Sequence, residues 1–320
     1  MSQPRPFPFP FSADSYQYNN NLRPLDPPVS IQITDSYRAE MALKRQLLAE
    51  HPERCYQSVS RTDAGQWEVL DHLMHELSEV YPHIFTLQKS GQHWVFRNSL
   101  LGEESAFTMG DRASLDCDPL DFIGRHVQED LILMSQRDQE LVLEAGQLCF
   151  PGNWSLMFDV GMPFATIHRP VPRLTEDGLA DKIQRFLVRI EAGKPWTRLN
   201  WSLNVDVRLD TSPETFDEWG HGRYEVTPED AGTRVQLRVE EQNLVRLPQS
   251  QNLLFTIHTY LMPIAEVVEN PAWGRRLYRV LESLPEDIVN YKGLAAYRMV
   301  LLDYLSRQLS PQETREESLR

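Results

Sequence analysis

Cysteine is scarce in this chain of 320 residues, which contains only Cys55, Cys117 and Cys149, widely spaced. No CxxC, CxxCH or Cys/His zinc spacing occurs, so the sequence predicts no covalently attached c-type haem and no Fe–S cluster of its own. No apolar run reaches the roughly 20 residues that a membrane span needs. The N-terminus alternates proline and phenylalanine and lacks the basic and apolar regions of a secretory signal. We therefore expect a reduced, cytoplasmic protein without disulfides that does not enter a membrane.

The signatures of common nucleotide and hydrolase sites are missing as well. The chain has no GxGxxG after a strand-like run, no P-loop, no GxSxG elbow, no HExxH and no kinase signature set. A Rossmann-type nicotinamide or flavin site is therefore unsupported. If this protein carries out redox chemistry, its electrons must arrive from another chain.

Basic residues are fewer than acidic residues in this chain. Lysine and arginine number 32 against 46 aspartates and glutamates, which gives a net charge of −14. Such a chain repels polyanions, so we expect no nucleic-acid partner. It attracts cationic small molecules or a basic partner surface. Hydrophobic residues make up 41% of the sequence, which is enough for an ordinary globular core.

Hydrophobic periodicity and composition divide the chain into five segments. Prolines on alternate positions predict an extended arm that lies on the body through its phenylalanines. Apolar residues at 3–4 spacing predict helices over 35–50 and 65–81. The predicted segments are an extended N-terminal arm (1–34), a helical N-terminal extension (35–120), a core (121–265), C-terminal helices (266–310) and a charged tail (311–320).

The core segment alternates between strand and helix patterns. The predicted strands and helices are a short helix (121–129), a hairpin (130–135 and 140–150), short helices over 154–171, an amphipathic helix (175–192) and three strands (199–209, 233–247 and 252–262). Helices over 274–284 and 286–308 follow. Two strands, a helical crossing and three antiparallel strands is the element order of a PAS domain. We therefore predict an α+β fold with a PAS-like antiparallel sheet and a ligand between the sheet and the short helices.

His168 stands in the segment that is densest in candidate functional residues. It follows an apolar stretch and precedes Pro170 and Pro172, which restrict the backbone. A neutral imidazole on a rigid apolar element suits an axial haem ligand, which holds iron from one side and leaves the other side open. Arg169 next to it is a candidate partner for a haem propionate. The alternatives are a core histidine bonded to a carbonyl and an arginine in solvent.

Tyr260 and Glu266 stand in a second segment, on either side of a break at Pro263. They are candidates for the wall on the open side of such a pocket, where Tyr260 would donate a hydrogen bond and Glu266 would hold a substrate cation. In a strand, His258 and Tyr260 face the same way. The alternatives are a satisfied sheet histidine at position 258 and a solvated Glu266. Arg198 opens another strand-like run and is a second candidate for a propionate.

Four ordered blocks of residues resemble the α subunits of the haem-dependent oxidative N-demethylase family over roughly residues 30–300. The blocks are Cys149–Trp154–Ser155–Leu156, Gly161-x-Pro163…Ile167-His168-x-Pro170-Val171-Pro172, Arg198-x-Asn200-Trp201-Ser202-Leu203, and Arg246-Leu247-Pro248…Phe255-Thr256-Ile257-His258-Thr259-Tyr260.

The resemblance implies a haem b–binding PAS core that removes a methyl group from a small secondary amine. The expected reaction converts dimethylamine to methylamine and formaldehyde with O₂ and electrons derived from NADPH. Partner subunits in such systems include an NADPH-dependent reductase with FMN and a 2Fe–2S cluster, and a subunit that binds tetrahydrofolate. The absence of nucleotide and Fe–S motifs in this chain agrees with that division of labour.

Within this reading each candidate residue has a role. We place His168 on the haem iron, with His258 as the alternative ligand, and expect Trp154, Arg169 and Arg198 to contact the cofactor. Tyr260 and Glu266 are the catalytic candidates. Two rival functions remain, a haem-PAS gas or redox sensor without turnover and a scaffold protein without haem.

Overall fold

Two antiparallel sheets, one of seven strands and one of three, form the framework of the protein. The computed structural model describes residues 6–18, 21–59, 61–174 and 178–310. Within them, helices pack around both sheets, so the predicted α+β class is confirmed. The tail predicted over 311–320 and the first three residues of the helix predicted over 175–192 lie outside the described residues.

The N-terminal part combines helices with the smaller sheet. Its elements are β1 (Arg23–Pro24), α1 (Tyr37–Glu50), α2 (Pro52–Cys55), β2 (Tyr56–Ser58), α3 (Asp63–Val80), β3 (Phe85–Ser90), β4 (His93–Asn98), β5 (Glu103–Thr108) and α4 (Pro119–Gly124). The helices α1 and α3 were predicted from their apolar stripes. The strands β3–β5 were not, so the segment 35–120 is not wholly helical. They pair in sequence order, and Trp94, Phe96 and Phe107 pack in the same apolar cluster as α3.

The core and the C-terminal part contribute the remaining elements. They are β6 (Asp130–Arg137), β7 (Glu140–Gln147), α5 (Leu156–Asp159), α6 (Phe164–Ile167), α7 (Leu179–Val188), β8 (Trp196–Val205), α8 (Phe216–Trp219), α9 (Ala231–Arg234), β9 (Val235–Arg246), β10 (Leu253–Pro263), α10 (Ile264–Glu269), α11 (Pro271–Glu282), α12 (Glu286–Tyr291) and α13 (Arg298–Leu309). The predicted hairpin is β6 with β7, and the three predicted later strands are β8, β9 and β10.

The helix predicted over 286–308 is broken into α12 and α13. Gly293 ends the first of these with a φ of +66°, a left-handed conformation that favours glycine. A Cβ atom at this position would also lie 2.6 Å from a guanidinium nitrogen of Arg223. The break leaves Lys292 at the end of α12, where it reaches the sheet.

The larger sheet has the strand order β1-β8-β9-β10-β6-β7-β2. Arg198 on β8 lies opposite Gln242 on β9, and Gln242 lies opposite Ile257 on β10. Because side chains alternate between the two faces of a sheet, these three residues share one face. His258 and Tyr260 therefore point to the other face.

The two faces of this sheet are covered by different helices. On the first, which we call the short-helix face, Leu244 and Ile257 pack against residues of α5, α6 and α7, including Phe164 and Leu187. On the opposite face, apolar clusters join the sheet to α1 and α3 at one end and to α10–α13 at the other. The sheet is thus a central layer between two layers of helices.

Within the described residues of the N-terminal segment, aromatic side chains pack on the body of the protein. Phe9 stacks on Trp273 with ring centroids 4.6 Å apart, and Phe11 meets Trp201 edge-on at 4.9 Å. Aromatic contacts of this kind anchor a segment that has little regular structure of its own. Among the described helices, none has the length and apolar character required to cross a membrane.

Candidate functional site

His168 caps the C-terminal end of α6, a short helix that begins after Pro163. Its Nδ1 atom lies 2.9 Å from the backbone oxygen of Phe164, and its ring stacks on the Phe164 ring at 4.0 Å. A carbonyl oxygen only accepts hydrogen bonds, so Nδ1 carries the proton and donates it. Nε2 then keeps its lone pair, which is the tautomer in which histidine binds a metal.

The surroundings of His168 keep its imidazole neutral. Burial lowers the pKa of His168 below its usual value, and the positive charge of Arg198 adds to this shift, while the hydrogen bond to Phe164 opposes it. A neutral ring is the form that coordinates iron. The side chain is only half-buried, so Nε2 is not sealed off from a ligand.

Arg198 is the second notable residue on the short-helix face. Its Nε atom is buried and has no hydrogen-bond partner among the described residues. Burial lowers the pKa of its guanidinium group, and the negative charge of Glu240 opposes that shift. A buried cationic nitrogen without a partner is costly, so this position has spare capacity for an anion.

A cavity of about 110 Å³ lies along the neighbouring part of β8 and β9. Asn200, Glu240, Tyr291 and Lys292 line it together with Gly152. Lys292 donates a hydrogen bond to the backbone oxygen of Trp201 at 2.6 Å, and burial lowers the pKa of its amine to about 8. A nearby carboxylate would offset the cost of this buried charge.

The carboxylate of Glu240 is already engaged by neighbouring side chains. It accepts hydrogen bonds from Arg238 at 3.0 Å, from Gln242 at 2.9 Å and from Asn200 at 3.2 Å. Neither Arg198 nor Lys292 forms a direct ion pair with a described residue, since the Glu240 carboxylate pairs with Arg238. The site therefore combines one imidazole with a free lone pair and two cations suited to carboxylates.

The other predicted cofactor residues differ in their placement. Trp154 is half-buried against the apolar cluster of α5–α7 and so lies on the side of the sheet that carries His168. Arg169 follows His168 but is exposed to solvent.

His258, the alternative ligand, lies on the opposite face of the sheet. Its Nδ1 atom is 2.8 Å from Oε1 of Glu129, and both side chains are almost fully buried. Burial opposes the charge on this imidazole, but the Glu129 carboxylate outweighs it, so the pKa of His258 is raised. The ring also lies 4.5 Å from the ring of Tyr260. These contacts are those of a structural ion pair.

The structure does not bring Tyr260 and Glu266 to His168. Tyr260 packs on the opposite face beside His258 and Phe7, and Glu266 is exposed in the first turn of α10. The sequence pattern correctly places Tyr260 and His258 on one face of their strand. It does not reveal which face α6 covers, and so the predicted wall of the His168 pocket is not built from these two residues.

Sequence reasoning missed Glu240 and Lys292. The sequence does contain a signal for Glu240, because polar residues alternate along β9 at Gln236, Arg238 and Glu240. All of β9 is buried in the structure. Buried polar residues at every second position indicate a polar stripe inside the protein. No local signal marks Lys292, which reaches the sheet only because α12 ends there.

Comparison with known families adds to this geometry. A sequence model of the family described as haem-dependent oxidative N-demethylase, alpha subunit-like, matches residues 21–302. The chain belongs to this family. The match contains β9, the short helices and Lys292, and it confirms the resemblance seen in the four sequence blocks.

The family description implies haem, and the residues of the site fit that group. His168 would hold the iron through Nε2, and Arg198 and Lys292 would supply cations for the carboxylates of the group. Within the described ranges, no three His, Cys, Asp or Glu side chains form a group that could hold a bare metal ion. The unpartnered Nε atom of Arg198 is the observation that ties the fit to this structure.

Proposed function

We propose that this chain is the haem-binding subunit of a monooxygenase that removes a methyl group from dimethylamine. Family membership supports haem-dependent oxidative N-demethylation, and the neighbouring His168 and Arg198 support the haem site. The juxtaposition of a metal-binding imidazole tautomer and an unpartnered buried cation carries the proposal. In this proposal dimethylamine, O₂, two electrons and two protons yield methylamine, formaldehyde and water.

A PAS-like core is part of the same proposal. The strands β7, β6, β10, β9 and β8 lie side by side in that order, and α5, α6 and α7 connect β7 to β8 across one face. This arrangement agrees with the element order from which a PAS core was predicted. The haem would lie between the short-helix face and these helices, which is where His168 and Arg198 lie.

The residues of this chain have separate tasks in the proposed site. Haem b, when bound, supplies the iron that activates O₂. His168 orients it through Nε2, because the hydrogen bond from Nδ1 to Phe164 holds the ring and its tautomer in place. Arg198 and Lys292 would bind its carboxylates. The apolar residues of α5–α7 exclude water around it.

The electrons would come from a partner. This chain has no nucleotide-binding or Fe–S motif, which supports a separate NADPH-dependent reductase with FMN and a 2Fe–2S cluster. A third subunit that binds tetrahydrofolate would accept the formaldehyde. These partners follow from the family resemblance and are proposals for this chain.

The absorption spectrum tests the proposal directly. We would reconstitute the wild-type chain and the His168→Ala and His258→Ala variants with haem, and record ferric and reduced spectra with and without dimethylamine. We expect a Soret band that shifts with the amine in the wild type, survives in His258→Ala and is lost or altered in His168→Ala. Loss of the Soret band in His258→Ala alone would instead assign His258, on the opposite face of the sheet, as the iron ligand.

Two further outcomes separate the rival functions. A Soret band that is indifferent to dimethylamine, with no NADPH-dependent loss of the amine in the presence of a reductase, would favour a gas or redox sensor. A wild-type chain that stays colourless after haem is added would contradict the haem site altogether.

A further inference from the structure

A basic groove lies on the outer side of α7, next to the start of β8. Its volume is about 350 Å³, and Phe186, Ile190 and Trp196 form its apolar floor. Four cationic side chains surround this floor, namely Lys182, Arg185, Arg189 and Lys194. We call this surface the basic groove.

The cations of the basic groove are largely uncompensated. Lys182, Arg185 and Arg189 are exposed and form no ion pair within the described part of the chain. Lys194 pairs with Glu191, the one acidic residue of the groove. Because 182, 185 and 189 are three and four residues apart, they share one face of the helix. This concentration of positive charge stands out on a chain whose net charge is −14.

The groove is held in a fixed shape by the sheet below it. Arg246 of β9 donates hydrogen bonds to the backbone oxygens of Leu187 at 2.6 Å and Ile190 at 3.2 Å, which satisfies the carbonyl groups at the end of α7. The ring of Phe186 meets the ring of Trp196 edge-on at 4.8 Å. A preformed surface loses little entropy when a partner binds to it.

The floor of the groove continues into the candidate site. Trp196 and Arg198 are two residues apart on β8 and so share the short-helix face, at a separation of about 7 Å along the strand. The positive charge of Arg198 in turn contributes to the lowered pKa of His168. A protein that covers the groove therefore comes close to the proposed haem without entering the site.

We propose that the basic groove docks an acidic protein surface, that of the electron-delivering partner. This inference rests on the proposed function, which requires such a partner. An aromatic and aliphatic floor with a charged rim is the composition of a protein interface, and the rim charges would steer an acidic partner to it. The net charge of the whole chain predicts a partner with a basic surface. The positive charge of the groove instead predicts a partner with an acidic surface.

Charge reversal within the groove tests the inference. The variant Arg185→Glu/Arg189→Glu is compared with Arg38→Glu/Arg275→Glu, which makes the same change in net charge at exposed positions on α1 and α11. The probe is an oxidised plant-type 2Fe–2S ferredoxin, a small acidic electron-transfer protein. Its affinity for each haem-reconstituted chain is measured by calorimetry at about 20 mM and about 300 mM salt.

We expect the wild-type chain and the control variant to bind ferredoxin at low salt, with affinities within about twofold of each other and much weaker binding at high salt. The groove variant should bind at least about tenfold more weakly at low salt. Equal losses in both variants, or no binding of ferredoxin to the wild type at low salt, would overturn the inference. The Soret band of the same samples reports the haem site independently, so a failed docking surface and a failed haem site are distinguishable.

Discussion

The two faces of the seven-stranded sheet each carry a buried or half-buried histidine, but the two side chains have opposite surroundings. On one face, His258 is bonded to Glu129 at 2.8 Å, and the carboxylate raises its pKa. On the other face, His168 is bonded only to a backbone oxygen of its own helix, and burial lowers its pKa. One histidine has its charge matched, and the other keeps a nitrogen free.

The surroundings of the two histidines show how a candidate ligand site differs from a structural ion pair. Each face keeps a buried polar atom without a partner among the described residues, Oε2 of Glu129 on one and Nε of Arg198 on the other. On the short-helix face this atom accompanies an imidazole whose Nε2 makes no described hydrogen bond. Buried polar groups in proteins are usually bonded, so an unbonded cationic nitrogen that accompanies an unbonded imidazole nitrogen marks a candidate place for a ligand. Residue type alone does not distinguish the two histidines.

Substitution of His258 should have the largest effect, because it breaks the ion pair on the opposite face of the sheet. His258→Leu leaves the buried Glu129 carboxylate without its cation and should lower the free energy of unfolding by about 3–5 kcal/mol. The matched variant His168→Leu removes a single hydrogen bond within a helix and should lower it by less than about 1 kcal/mol. Urea titration of the haem-free proteins, followed by tryptophan fluorescence, measures both. Similar losses would remove the distinction between the two faces.

A second comparison is between Arg198 and Arg246, two arginines of the short-helix face. Arg198→Met should weaken haem binding by about 10–100-fold, because a charged hydrogen bond contributes about 1.5–3 kcal/mol. The haem-free variant should be no less stable than the wild type, since a buried unpartnered cation is removed.

Arg246→Met is the control for this comparison. Its guanidinium group is fully used on backbone oxygens, so its loss should destabilise the haem-free chain. Haem titration and urea titration of both variants would separate binding from stability. If Arg198→Met proved as destabilising as Arg246→Met, Arg198 would be a structural residue.

The smallest expected effect is a pH dependence of opposite sign for the two histidines. The pKa of His258 is raised by Glu129, so its contribution is complete below the unfolded pKa of about 6.5 and is lost as pH rises through the folded pKa. The pKa of His168 is lowered by burial, so the fold loses stability as pH falls from about 6.5 towards the folded pKa.

Glutamine variants of the two histidines would show this difference. In His258→Gln the loss of stability on the alkaline side should disappear, and in His168→Gln the loss on the acidic side should disappear. Urea midpoints of the haem-free proteins between about pH 5 and pH 9 would show both trends. The same trend in both variants would contradict the assignment of charge states.

Strongly periodic segments were predictable from the sequence, and local exceptions were not. The amphipathic helix α7 and the strands β8, β9 and β10 lie within a few residues of their predicted bounds, because a continuous apolar pattern defines them. The sheet of β3–β5 was missed, since its six-residue strands carry few apolar residues each. The break at Gly293 was missed because a single left-handed glycine leaves little trace in a helical pattern.

For the candidate site, His168 and Arg198 were predictable and their partners were not. Both were identified from residue type and local sequence, and in the structure the positive charge of Arg198 helps to lower the pKa of His168. Tyr260 was wrongly assigned to the pocket of His168. The strand pattern shows that Tyr260 and His258 share a face of β10, but it does not show which face of the sheet α6 covers. Lys292 joins the site through a contact with Trp201, 91 residues away in the chain.

The principal strands and helices, the family and the candidate His168 could be inferred from the sequence, because each is marked by short patterns of neighbouring residues. The tertiary structure alone decided which face α6 covers, which side chains meet across the strands and which polar atoms stay unbonded. These depend on the register between distant strands, and a shift of one residue exchanges the two faces. For that reason His258 lies in an ion pair, while His168 keeps a nitrogen for a ligand.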